Sequence, residues 1–104
     1  MKFQIMHDRA FIAGTSLKGY VRIRYRDLVS IFGRPVKGDG IKTRAEWVLR
    51  FDDGTVGTIY DWACSGPITK NSDWHVGGTT ACSEVFGRVM EACAGYAVSG
   101  RAEA

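Results

Sequence analysis

Ala45-Glu46-Trp47-Val48-Leu49-Arg50-Phe51-Asp52-Asp53-Gly54-Thr55-Val56-Gly57-Thr58-Ile59-Tyr60-Asp61-Trp62 sets two apolar-rich runs on either side of Asp52-Asp53-Gly54. Runs of β-branched and aromatic residues around Asp-Gly read as a β-hairpin, because glycine accepts the positive φ of a tight turn. The turn admits two registers, and a slip of one residue exchanges the faces of a strand. A two-residue Asp53-Gly54 turn sets Trp47 opposite Tyr60 and Glu46 opposite Asp61. A three-residue turn closed by a glycine bulge sets Glu46 opposite Tyr60 and Trp47 opposite Ile59. The second is preferred, since it keeps two carboxylates from facing each other.

Upstream of the hairpin, Ser16 to Arg24 reads as a strand, with β-branched and aromatic residues alternating with basic ones from Tyr20 onward. Arg26 to Phe32 holds Leu28, Val29, Ile31 and Phe32 in one short helical period, and Gly33 followed by Arg34-Pro35 gives a helix stop. Val36 to Lys42 is a polar loop with two glycines. Phe3 to Met6 is a candidate edge strand within an N-terminal extension, residues 1–14.

Downstream, Ala63 to Asp73 reads as a loop leading to a short strand, Trp74 to Val76, which breaks at Gly77-Gly78 into a helix. From Thr80 onward Cys82, Val85, Phe86, Val89, Met90 and Cys93 recur at three- and four-residue steps, the buried stripe of a helix ending near Gly95. Residues 96–104 show no period and read as a loose tail. The expected architecture is α+β: a small single domain, residues 1–104, with an antiparallel sheet around a central β-hairpin and two helices.

With 104 residues and 45% hydrophobic content, the chain suffices for one modest core. A net charge of +3 permits anionic partners without demanding them. Cys64, Cys82 and Cys93 are odd in number and not closely paired, which points to neither a disulfide framework nor a zinc site. No stretch approaches the roughly 20 apolar residues of a membrane span, and no signal segment is evident. The expected location is the cytoplasm.

Gly77-Gly78-Thr79-Thr80 at a helix start offers unpaired backbone N–H groups and hydroxyls, the ingredients of an anion site. A plain strand-to-helix turn with a threonine cap is the more frequent use of such a segment. His75 lies beside them, placed to donate to a phosphate or base edge. Trp47, Tyr60, Trp62, Trp74 and Tyr20 give a dense set of rings; some must be core, and Trp74 and Tyr20 are the foremost candidates to stack on a base. Lys42 and Arg44 can pair with Glu46 in a solvated network or meet a ligand phosphate. Glu46 and Asp61 also admit an acid–base reading. No nucleophile motif, phosphate-binding loop or dinucleotide fingerprint is present, and neither a metal nor a cofactor is expected.

Gly19-Tyr20, Phe32-Gly33-Arg34-Pro35, Ala45-Glu46-Trp47, Phe51-Asp52-Asp53-Gly54-Thr55, Thr58-Ile59-Tyr60-Asp61-Trp62 and Trp74-His75-Val76-Gly77-Gly78 together resemble a family of short tailed-phage proteins. The resemblance runs over about residues 15–95 and extends to the anti-CBASS sponge proteins, which sequester cyclic dinucleotide signals without cleaving them. It implies a non-enzymatic homo-oligomer that holds its ligand at or near subunit contacts in the host cytoplasm and blocks antiphage signalling. Nucleic acid is not the expected partner. The expected ligand-binding residues, argued from chemistry, are Tyr20, Lys42, Arg44, Tyr60, Trp74, His75, Gly77, Gly78 and Thr79. The competing class is a phage-encoded inhibitor of a host defence complex, similar in action to anti-CRISPR proteins, working through an exposed aromatic patch. A small hydrolase using Glu46, Asp61 or His75 stands third.

Overall fold

The computed structural model describes residues Met1 to Glu103. The hairpin forms as β4 (Ala45–Phe51) and β5 (Val56–Tyr60), in the glycine-bulge register: Glu46 lies opposite Tyr60 and Trp47 opposite Ile59. Gly54 takes φ +87°, and Asp53 accepts from the backbone N–H and hydroxyl of Thr55 at 3.0 and 2.7 Å. Those bonds, with Arg88 at 2.9 Å, hold the Asp53 carboxyl down at about 2.

Around this hairpin the remaining strands are β1 (Phe3–Met6), β2 (Thr15–Arg22), β3 (Val36–Lys37), β6 (Asp73–Thr79) and β7 (Ser99–Ala102). They form one antiparallel sheet in the order β1-β4-β5-β6-β2-β7, with β3 also on β4. The chain is therefore α+β, with helices α1 (Tyr25–Phe32) and α2 (Val85–Ala92). Phe3–Met6 is an edge strand, and α1 ends at Gly33, whose N–H donates to the Val29 carbonyl.

Val36–Lys37, expected within a polar loop, instead forms β3 on β4. Three further expectations need correction. First, the segment after Gly95 is not wholly loose: Ser99–Ala102 pairs with β2, setting Arg101 opposite Tyr20 and Gly100 opposite Val21. The strand arises from backbone pairing rather than from any alternation of side chains. Ala104, the end of that expected tail, lies outside the described residues. Second, β6 does not break at Gly77-Gly78 but runs through both glycines to Thr79. Third, α2 starts at Val85 rather than at Thr80, and Thr79 to Glu84 forms turns, with the Cys82 N–H donating to the Thr79 carbonyl.

Both helices pack on one face of the sheet. Trp74, Val76 and Gly78 alternate onto that face from β6. Trp74 meets Trp47 edge to face at 5.3 Å, and their indole N–H groups donate to the carbonyls of Ile23 and Gly33. Tyr25 of α1 meets both indoles. Val85 and Val89 of α2 press on Gly57 and Gly78, which face each other across β5 and β6. A Cβ on Gly78 would stand 2.5 Å from Val85 Cγ1. Among the described residues no helix is long and apolar enough to cross a membrane.

Gly78→Ala is expected to destabilise the domain by about 1–3 kcal/mol through overpacking. Gly87→Ala, in open space within α2, is expected to stabilise it by about 0.5–1 kcal/mol through helix propensity. Denaturant melts of the two variants check this, and equal midpoints would contradict the packing described.

Candidate functional site

Because strand residues alternate between faces, the residues between Trp74, Val76 and Gly78 project from the side that α1 and α2 leave uncovered. The registers align five of these positions in one row across five strands: Arg101 on β7, Tyr20 on β2, His75 on β6, Tyr60 on β5 and Glu46 on β4. The Arg101 guanidinium lies 4.4 Å from the Tyr20 ring centroid. Tyr20 meets His75 edge-on at 5.0 Å, and Tyr60 approaches it at 5.5 Å. At the far end Glu46 Oε1 accepts from Arg9 Nε at 2.8 Å, with Arg9 carried on a short 3-10 helix, Arg9–Ile12.

Trp62 completes the arrangement. Its ring lies nearly parallel to His75, at 16° and 5.8 Å, while remaining 51% exposed. Two neighbours fix the segment that presents it. On one side Asp61 is fully buried and its carboxylate accepts from the backbone N–H groups of Arg44 and Ala45 at 2.7 and 3.0 Å and from the Cys64 thiol at 3.2 Å. On the other, Ala63 takes a left-handed φ of +50° and its N–H donates to the Lys42 carbonyl at 2.6 Å. Only glycine adopts that region at no steric cost, so the surrounding hydrogen bonds hold Ala63 there.

The row borders two cavities. The larger, about 570 Å³, is lined by Tyr20, Arg22, Trp62, Cys64, His75 and Arg101 among others; the smaller, about 250 Å³, by Arg9, Glu46, Thr58, Tyr60, Trp62 and Gly77 among others. Trp62 borders both. The larger falls within the roughly 300–1,000 Å³ of sites that enclose small-molecule ligands. It carries two cations against the Asp73 carboxylate, which pairs with Arg22 at 3.1 Å on the surface.

Burial lowers the His75 pKa from its ordinary value near 6.5, so the imidazole is neutral at pH 7. Burial, then the Glu46 charge, raises that of Tyr60, which keeps its phenol protonated. Burial alone would raise Asp61, but the Ala45 and Arg44 N–H groups and the Cys64 thiol outweigh it and hold the carboxyl below its ordinary value. Asp61 thus fastens the start of β4 to the end of β5. It sits beside Tyr60 in sequence but does not face Glu46, so the two carboxylates form no acid–base pair.

Of the residues expected to bind ligand, Tyr20, Tyr60 and His75 come together. Trp74 does not offer a ring to a base: it borders the larger cavity but is 1% exposed, with its indole in the core. Its parity along β6 matches Val76, and this period-two signal separates it from His75. Gly77 and Gly78 open no helix. Gly77 leaves room for Thr58 and Tyr60, and Gly78 for Val85. Thr79 caps no helix either, because its hydroxyl accepts from the Val56 N–H at 2.8 Å. Arg44 is committed to the 61–66 loop, donating to the Gly66 carbonyl at 2.8 Å and touching the Cys64 sulfur at 3.0 Å. Lys42 borders neither cavity. Trp62, one of the dense set of rings but not among the expected binding residues, lines both cavities, and Arg101 lines the larger. Trp62 shares the parity of Tyr60, whereas nothing in Ser99-Gly100-Arg101-Ala102 marks Arg101.

Among the described residues no three His, Cys, Asp or Glu side chains cluster closely enough to hold a metal ion. The arrangement suits a planar, anionic ligand, with ring faces for stacking and guanidinium groups for phosphate. Comparison with family models, curated proteins and solved structures finds no match to this chain.

The depressed His75 value gives a pH dependence. The unfolded chain takes up a proton near pH 6.5 while the folded one resists it, so this group's contribution is intact above 6.5 and is lost as pH falls below it. An NMR titration of the His75 ring is expected to give a midpoint below 6.5; one at or above 6.5 would contradict its burial. Asp61→Ala strands two backbone N–H groups and is expected to destabilise the fold by about 2–5 kcal/mol in a denaturant melt.

Proposed function

We propose that this chain binds a nucleotide without cleaving it, and that the ligand is a cyclic dinucleotide withheld from host antiphage signalling. The observation that carries this reading is the half-exposed Trp62 ring set parallel over His75, beside a cavity that also holds Tyr20, Arg22 and Arg101. A base stacks on a ring face at about 1–3 kcal/mol per base, and the guanidinium groups answer the phosphates. The resemblance to the anti-CBASS sponges supports the same ligand class and extends the proposal to a homo-oligomer. Binding without turnover agrees with the side chains that border the cavities: the Cys64 thiol donates to buried Asp61, and Glu46 pairs with Arg9.

A second reading, a protein inhibitor, draws on the exposed apolar side chains of Trp62 and Ile41, the latter 85% exposed. Their segments are joined by the Ala63–Lys42 backbone hydrogen bond. Such a patch would anchor on a host protein surface.

Incubation with a panel of cyclic and linear nucleotides, followed by filtration and heat release, distinguishes the readings. One nucleotide depleted from the filtrate and recovered intact is the expected result. Recovery as a cleaved product would make the protein an enzyme, and no depletion would favour the inhibitor. Trp62→Ala is expected to weaken binding roughly 5- to 150-fold while leaving the fold intact. Trp74→Ala instead is expected to destabilise the core by about 3–5 kcal/mol.

A further inference from the structure

The smaller cavity is lined by the charged end of the row, Glu46, to which stacking gives no role. The Glu46 side chain is 5% exposed, and its Oε1 accepts from Arg9 Nε at 2.8 Å. Among the described residues Oε2 receives no hydrogen bond, yet no fully enclosed side-chain polar atom lacks a partner, so Oε2 opens onto the cavity that Glu46 lines. The terminal nitrogens of Arg9 likewise donate to no described residue. An open carboxylate oxygen and a guanidinium edge therefore border one cavity of about 250 Å³, below the size that encloses a whole small-molecule ligand and suited to one base.

We infer that the base read here is guanine, its Watson–Crick edge donating to Glu46 and accepting from Arg9. This deepens the nucleotide reading and rests on it. An ionised carboxylate only accepts. Guanine presents two adjacent donors, N1–H and the N2 amino group, followed by the O6 acceptor, which matches the Glu46–Arg9 pair. Adenine can meet the pair at only two points, its amino group donating to the carboxylate and its N1 accepting from Arg9, one contact fewer than guanine. Three inter-strand steps of about 4.8 Å, roughly 14 Å, separate Glu46 from Tyr20. That span lets one base sit at Glu46 while the phosphates approach Arg101, with Trp62 between the two cavities.

Equilibrium dialysis of the full chain against cyclic di-GMP and cyclic di-AMP tests this. The expected result is tighter retention of cyclic di-GMP by tenfold or more, with the preference lost in Glu46→Gln, since one further hydrogen bond to a charged carboxylate discriminates by roughly 10- to 150-fold. Equal retention of the two by the wild-type chain would overturn the inference and leave the nucleotide reading standing. A preference that survives Glu46→Gln would do the same. Retention of neither would overturn the inference, since a chain that reads guanine must retain cyclic di-GMP, and the nucleotide panel then decides the wider reading. Equal retention by the wild-type chain overturns the inference without any variant, so a folding defect in Glu46→Gln leaves it falsifiable.

Discussion

The close approach of α2 to the sheet over Gly57 and Gly78 is the constraint on which the rest of the structure depends. These two glycines face each other across β5 and β6, and Val85 and Val89 fill the space their missing side chains leave. Gly19 does the same for Phe86, whose ring would lie 2.5 Å from an added Cβ. With the helix seated there, the large rings of Trp47 and Trp74 find their places on the same side, each held by an indole hydrogen bond to a carbonyl. Burial of rings and aliphatic side chains on one face supplies the main driving force of a domain this small. The opposite face is left free of α1 and α2, carrying only the short 3-10 helix Arg9–Ile12 at one end, and holds polar and aromatic side chains.

That freedom explains the form of the candidate site. Strand pairing, rather than any loop, sets Arg101, Tyr20, His75, Tyr60 and Glu46 in line, so their spacing is dictated by the sheet itself. Positions on a rigid scaffold need little reordering when a ligand arrives. The exception is Trp62, which is fixed through its neighbours: buried Asp61 binds the backbone at the start of β4, and left-handed Ala63 turns the chain away. Arg44 belongs to this clamp, which is why it holds the loop instead of facing the cavity.

Much of the fold is legible in the residues, and the failures have a common cause. The hairpin and its register follow from Asp53-Gly54 and from the repulsion of two carboxylates. Helix α1 follows from its apolar period and Gly33. Gly77-Gly78 misleads because glycine signals a turn and a close approach by the same lack of a side chain, and only Val85, packed from elsewhere, separates the two. Helix α2 is shorter than its apolar spacing implies because that spacing runs on into the turns of residues 79–84. Strand β7 and Arg101 carry no local pattern at all, since β2 supplies the pairing that makes them a strand. Of the site, Tyr20, Tyr60 and His75 are legible. Trp74 shares the parity of Val76 and so falls on the face that the helices cover, whereas Trp62 lies past the end of β5 and is placed by the hydrogen bonds of Asp61 and Ala63.

The central claim is that ligand meets the face of Tyr20, His75 and Tyr60 while the helix-covered face remains closed. The three indole N–H groups report on it directly, because Trp47 and Trp74 lie in the core and Trp62 on the surface. In a nitrogen-15 NMR titration with a cyclic dinucleotide, the account predicts that the Trp62 indole signal moves while those of Trp47 and Trp74 hold still. Movement of the Trp74 signal with Trp62 unmoved, or saturation without any shift at Trp62, would contradict it.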